Sequence, residues 1–175
     1  MIQSCDELDK WYAQTDPWGY ESNPEDLKRK ALLLSELPVK DYQRVLDIGC
    51  GHGFITRDLP GREVIGVDIS SQAILQATRL TSKRHRFQQA SLFELPALFD
   101  RPFDLVVVTG VIYPQYIGHA LSAAYAAIDR LLAVDGILVS VHIDQWYRAR
   151  FPLLRLKELY YPYREYTHRL EIYVK

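Results

Sequence analysis

Apolar positions along this 175-residue chain follow two rhythms. Compact runs without strict alternation, at Val45 to Ile48, Val64 to Val67, Phe103 to Val108 and Ile137 to Val141, predict buried parallel strands covered on both faces. Phe87 to Ala90 predicts a shorter strand between the second and third of these. The segments between them carry helical spacing. Leu8, Trp11 and Tyr12 predict a helix over residues 4 to 14, which Asp16-Pro17-Trp18-Gly19-Tyr20 breaks. Ser22 or Asn23 then caps a second helix opened by Pro24, with Leu27, Ala31, Leu34 and Leu37 as its apolar stripe and Pro38 as its stop. Further helices are expected from Phe54, using Ile55 and Leu59; over Gln72 to Thr81, on Ala73, Ile74, Ala77 and Leu80; and over Gly118 to Leu132, on Leu121, Tyr125, Ile128 and Leu132. Near the end, Leu156-Glu158-Tyr160 and Leu170-Ile172-Val174 alternate, which predicts two strands joined near Pro162 and Tyr163. Strands separated by helices place the chain in the α/β class.

Length and charge narrow this picture. A chain of 175 residues suits one structural domain, with residues 1–38 as a helical entrance segment packed on a core of residues 39–175 and no room for a separate substrate domain. A net charge of −1 does not advertise a nucleic-acid binder. The balance is uneven, however: residues 1–26 hold seven acids against one lysine, and residues 145–175 hold seven basic residues against three acids. Arg79, Lys83, Arg84 and Arg86 read as solvated cations near a helix C-terminus rather than as a phosphate-contacting patch. Two cysteines, Cys5 and Cys50, make no disulfide framework. The opening MIQSCDELDK lacks the basic start and apolar core of a signal peptide, and no stretch reaches membrane-spanning length. A soluble cytoplasmic protein with no membrane partner is therefore expected, and no metal ligands are assigned.

The stretch Arg44 to Asp68 carries the chemistry. A buried strand runs into Gly49, Gly51 and Gly53, where glycine permits backbone angles closed to other residues and lets a ligand approach the main chain. A second strand ends in Asp68, fifteen residues after Gly53. An acid there can accept from both hydroxyls of a ribose. Phe54 stands where a dinucleotide fingerprint wants its third glycine, which argues against a pyrophosphate site, and no Gly-Lys-Ser/Thr follows, which excludes a P-loop on its own motif.

V45-L-D-I-G-C-G-H-G53 and V64-I-G-V-D-I-S70 resemble the first two motifs of class I S-adenosylmethionine-dependent methyltransferases, and the resemblance covers essentially the whole chain. It implies a Rossmann-like sandwich, with a mostly parallel sheet and an antiparallel C-terminal strand pair. It implies S-adenosyl-L-methionine as cofactor and S-adenosyl-L-homocysteine as product. The cofactor-binding set implied is Asp47, Gly49, Cys50, Gly51, Asp68, Ile69, Ser91, Leu92 and Thr109. Within it Asp68 holds the ribose, Ile69 packs on adenine, and Asp47 organises the turn and the methionyl amino group. Ser91 departs from the acid common at that position in the family. Gly110 likewise replaces an acid frequent in similar small-molecule enzymes.

D16-P-W-G-Y20 and L34-S-E-L-P38 resemble the entrance segment of the nodulation protein S-like group, which N-methylates chitooligosaccharides. Trp18 and Tyr20 are accordingly expected to contact a small-molecule methyl acceptor, or else to anchor the N-terminus. Tyr113, which the resemblance matches to a tyrosine of similar small-molecule methyltransferases, and His142, which lies at a strand's C-terminal end and titrates near neutrality, are the catalytic and substrate-binding candidates. Nitrogen or oxygen of a small molecule is the expected acceptor. RNA, protein or noncatalytic cofactor binding are the alternatives, and a homodimer completing the pocket is left open.

Overall fold

A computed structural model describes residues 4–175. Its strands are β1 (Arg44–Ile48), β2 (Glu63–Asp68), β3 (His85–Gln89), β4 (Phe103–Thr109), β5 (Leu132–Ile143), β6 (Leu154–Tyr163) and β7 (Tyr166–Val174). They form one sheet in the order β3-β2-β1-β4-β5-β7-β6. The first five run parallel, and β7 pairs antiparallel with both β5 and β6. The chain is thus a mostly parallel sandwich with an antiparallel C-terminal pair. The helices are α1 (Cys5–Tyr12), α2 (Pro24–Glu36), α3 (Ser71–Ala77), α4 (Leu95–Leu98), α5 (Pro114–Ile117) and α6 (Leu121–Leu131). None of them is long and apolar enough to cross a membrane.

Successive side chains of the central strands point to opposite faces, and each face has its own core. On one face Leu46, Ile48, Val106 and Val108 pack with Ala124, Ile128 and Leu131 of α6. On the other, Val45, Leu105 and Val107 pack with Leu33 of α2 and with Tyr161 and Tyr163 of β6. A fully buried leucine such as Leu46 contributes about 1.5–3 kcal/mol by leaving water. This burial on both faces accounts for apolar residues at successive positions in β1, Val45 and Leu46, and in β4, Leu105 to Val108.

Two expected elements differ from the structure. Between Gly53 and Pro60 the chain makes one 3₁₀ turn, Thr56–Asp58, in place of a regular helix. Six residues between these breakers give little length for helical propagation, and the Thr56 hydroxyl is drawn instead to Asp47 at 2.6 Å. The α2 stripe is also rotated from the expected one. Its buried residues are Asp26, Arg29 and Leu33, while Leu27 and Ala31 are exposed. Asp26 is fully buried, where it accepts from the Tyr163 hydroxyl at 2.8 Å and pairs with Arg164 at 2.9 Å and Arg29 at 3.1 Å. Partners distant in sequence thus turn two charges inward, which apolar periodicity does not register.

The cap and boundary readings fare better. Asn23 caps α2 by accepting from the Glu25 amide at 2.9 Å, and Ser70 caps α3 by accepting from Ala73 at 3.1 Å. Asp9 of α1 also reaches the start of α3, accepting from the Ser70 and Ser71 hydroxyls at 2.6 and 2.8 Å. The entrance segment is therefore tied to the sheet edge of the second strand.

Removing the Asp26 carboxylate leaves two guanidinium groups and a phenol without it. We expect Asp26→Ala to cost about 3–5 kcal/mol in urea denaturation, and Leu27→Ala, on the exposed side, to cost within about 0.5 kcal/mol.

Candidate active site

The carboxyl ends of β1, β2 and β4 open onto a single cleft, the place where parallel sheets leave room for ligands. Its floor is the glycine turn after β1. The amides of Gly49 and Cys50 both donate to the Val67 carbonyl, at 2.8 and 3.0 Å, so the turn is pinned to the tip of β2. Gly49 has φ +76°, and a Cβ there would lie 2.2 Å from the Val111 side chain. At Gly51, φ +55°, a Cβ would meet the Tyr12 hydroxyl at 2.7 Å. Both positions therefore need glycine for conformation and for space.

Asp68 sits at the lip of this turn and faces the cleft. One carboxylate oxygen accepts from the Gly51 amide and the other from the Ser70 amide, each at 2.9 Å. A carboxylate offers about four lone-pair positions, so two remain for a diol. Burial pushes its pKa up, against the downward pull of these amides.

Asp47 lies deeper. Its Oδ2 accepts from Thr56, whereas the buried Oδ1 has no partner. Burial lifts the carboxyl to about 6, opposed by the Thr56 hydrogen bond and by the charge of Arg29. Arg29 also lines the cleft, stacked over Tyr20 at 4.9 Å, and its buried Nε is likewise without a partner. Asp47 and Arg29, an acid and a cation that each keep one buried polar atom without a partner, line the same cleft as Asp68; the first two complement an α-amino-acid zwitterion and the third a ribose. That is the polarity of S-adenosylmethionine.

The remaining residues expected to bind a cofactor, Cys50, Ile69, Ser91, Leu92 and Thr109, all line the same cleft. Cys50 is buried, which pushes its thiol well up and keeps it uncharged. Trp18 and Tyr20 line it too, with the Trp18 indole donating to the Tyr12 hydroxyl at 3.3 Å. Tyr12, Arg29 and Tyr116 are cleft residues that the sequence reading missed. Tyr12 carries the signal of an ordinary helix anchor, and Arg29 that of a solvated helix face. Tyr116 stands three positions beyond the tyrosine that was chosen, on the single turn of α5.

Tyr113 and His142 are the corrections. Neither borders the cleft. The Tyr113 oxygen is buried and accepts from the Ile143 amide at 2.7 Å, and burial pushes its pKa up. His142 is 1% exposed inside β5. Its Nε2 accepts from the Ile112 amide at 3.2 Å, which leaves the proton on Nδ1 to be donated to Ser140 Oγ at 3.0 Å. Burial lowers its pKa to about 3, so it is a neutral strut between β5 and the loop after β4. Position just after a strand end suggested exposure; β5 instead continues through His142 to pair with Arg169. His52, in the glycine turn, faces Glu21 at 3.2 Å and also lies outside the cleft lining. Among the described residues no cluster of His, Cys, Asp and Glu suits a metal ion.

This sheet order and strand-tip cleft define a class I S-adenosylmethionine-dependent methyltransferase domain. Residues 40–167 match the family described as a methyltransferase domain, and the chain belongs to it. Among curated proteins it is 31% identical to nodulation protein S of Rhizobium tropici over 144 residues, 75% of this chain and 57% of that one. It is 38% identical to a malonyl-[acyl-carrier protein] O-methyltransferase of Enterobacter lignolyticus over 90 residues, 50% of this chain and 35% of that one. Ribosomal protein L11 methyltransferase of Burkholderia cenocepacia is 33% identical over 107 residues, 59% of this chain and 35% of that one. The chain thus spans between about a third and just over half of the length of these relatives. Among solved structures, N-methyltransferase NodS of Bradyrhizobium japonicum in complex with S-adenosyl-L-homocysteine superposes with a TM-score of 0.81, at 21% identity and 97% coverage of both chains.

Two pH responses follow. With Asp47 as the partner of the cofactor's ammonium group, as the resemblance implies, S-adenosylhomocysteine affinity measured by calorimetry should fall about tenfold from pH 7.5 to pH 5, one unit below the Asp47 pKa of about 6. Asp47→Asn should remove most of that slope. His142 acts on stability: the unfolded chain takes up a proton below about pH 6.5 that the folded histidine refuses until about 3. Acidification from pH 7.5 to 5 should therefore cost about 2 kcal/mol through this group. Urea titrations of His142→Gln should show that much less pH dependence.

Proposed function

We propose that the chain transfers a methyl group from S-adenosylmethionine to a nitrogen or oxygen of a small molecule. The observation that carries the reading is the presence, on the lining of one cleft, of Asp68 at the β2 tip together with Asp47 and Arg29, whose Oδ1 and Nε are buried without partners. When bound, the cofactor supplies a methyl group already activated by the positive sulfur.

The protein's part is then largely positional. Asp68 would hold the ribose, Ile69 and Leu92 would cover adenine, Ser91 and Thr109 would contact the nucleoside and sulfur ends, and Asp47 with Arg29 would fix the amino-acid end. Residues holding the cofactor at both ends would leave its methyl group facing an acceptor space bordered by Trp18, Tyr20 and Tyr116, which line the same cleft. Orientation of that kind supplies a large part of the rate in a displacement reaction. Burial raises the pKa of both Tyr20 and Tyr116, which keeps them as neutral donors rather than bases. The acceptor would thus arrive as a nucleophile, and the aromatic wall would set its shape.

Small-molecule acceptors are favoured because the entrance segment narrows the cleft with aromatic side chains and because nodulation protein S is similar over three quarters of the chain. The L11 methyltransferase among the relatives makes a protein acceptor the second reading. Methyl-labelled cofactor supplied with low-mass amines, alcohols and acids, and in parallel with ribosomal protein and RNA, separates the two by the mass of the labelled product. Calorimetry with S-adenosylhomocysteine tests the common premise. Saturable binding, weakened about a hundredfold by Asp68→Ala through loss of two charge-assisted hydrogen bonds, is expected. Folded wild-type protein that binds none would sink the proposal.

A further inference from the structure

The turn between β6 and β7 lies far from the glycine motif in sequence, yet it reaches the entrance of the cleft. Arg164 occupies that turn with φ +52°. Its backbone amide donates to the Glu25 carboxylate at 2.8 Å. Its guanidinium donates to the Trp18 carbonyl at 2.9 Å and to the buried Asp26 carboxylate at 2.9 Å. One residue thus grips the entrance loop, the first turn of α2 and the acid that holds Arg29. The loop it grips has a second support on its other side, where Glu21 takes both Arg57 amino groups at 2.8 and 2.6 Å. Asp16 closes the loop internally, accepting from the Tyr20 and Glu21 amides at 2.8 and 2.9 Å.

We infer that Arg164 is a positioning residue for cofactor binding: a latch by which the C-terminal hairpin holds Trp18 over the cleft. The inference rests on the cofactor reading given above. The left-handed backbone at Arg164 would suit glycine or asparagine better, so an arginine held there is retained at a conformational cost. The side chain's two hydrogen bonds, to the Trp18 carbonyl and the Asp26 carboxylate, supply the offsetting interaction. Trp18 is the segment's bridge to the ligand, since its ring lines the cleft, stacks on Trp11 at 5.1 Å between centroids and donates to Tyr12. Without the latch Asp26 still keeps Arg29 and the Tyr163 hydroxyl, so its buried charge remains compensated and the fold should persist.

The experiment is a double-mutant cycle read by calorimetry with S-adenosylhomocysteine, using Arg164→Ala, Trp18→Ala and the pair, with Arg164→Lys as the conservative variant. Arg164→Ala should weaken binding about tenfold, as expected for loss of hydrogen bonds to a charged group. Arg164→Lys should recover most of it. In the Trp18→Ala background the same change should matter less than twofold, because the latch then has nothing to deliver. Equal losses in both backgrounds would mean that Arg164 acts through Asp26 and Arg29 or through general stability, and would overturn the inference, as would an unchanged affinity in Arg164→Ala. If wild-type protein binds no S-adenosylhomocysteine, the cofactor reading itself has failed, and both fall together.

Discussion

The site depends on a turn that closes by hydrogen bonding to the strand beside it. Gly49 and Cys50 donate to the Val67 carbonyl, and Gly51 donates to Asp68 one residue further along. Those bonds fix the distance between the tips of β1 and β2, and with it the span over which any ligand must be held. The same carboxylate that shapes the turn keeps lone pairs free for the ligand. Structure and recognition therefore share a group, and loss of Asp68 disturbs both.

Buried charge is the second constraint. Asp26, Arg29, Asp47 and Asp68 are all at least nine-tenths buried, yet they are not equally satisfied. Asp26 has three donors around it, whereas Asp47 and Arg29 each keep an unpaired atom near the cleft. Unpaired buried polar atoms cost free energy, and two of those found here belong to residues that line the cleft, where a ligand can satisfy them. The raised pKa of Asp47 is the electrostatic mark of the same cost.

The entrance segment shows how a small domain covers its own cleft. α1 is docked through Asp9 on the serines that begin α3, and Gln76 holds the chain after it through the Tyr12 and Gln14 carbonyls at 2.5 and 3.0 Å. The loop that follows is then held by Arg57 from the glycine-turn side and by Arg164 from the hairpin side. Acids near the N-terminus and bases near the C-terminus, which as a composition could mean separate solvated surfaces, meet here at Glu25, Asp26 and Arg164.

Local physics made much of this legible in advance. Apolar runs without strict alternation marked the central strands, because burial on both faces removes alternation, and the glycine spacing with a strand-end acid marked the cofactor cleft, because backbone conformation and ribose chemistry demand those residue types. Helix caps were readable for the same reason: Asn23 and Ser70 bond to amides two or three residues away. What the tertiary structure alone decided concerns side chains whose partners lie elsewhere in the chain. Tyr113 and His142 had the right chemistry at strand ends, but the Ile143 and Ile112 amides occupy them. Arg29 and Asp26 looked like a solvated helix face, yet a hairpin more than 130 residues later turned them inward. A sequence states which groups are present; which of them remain free to meet a ligand depends on contacts between residues that only the folded chain brings together.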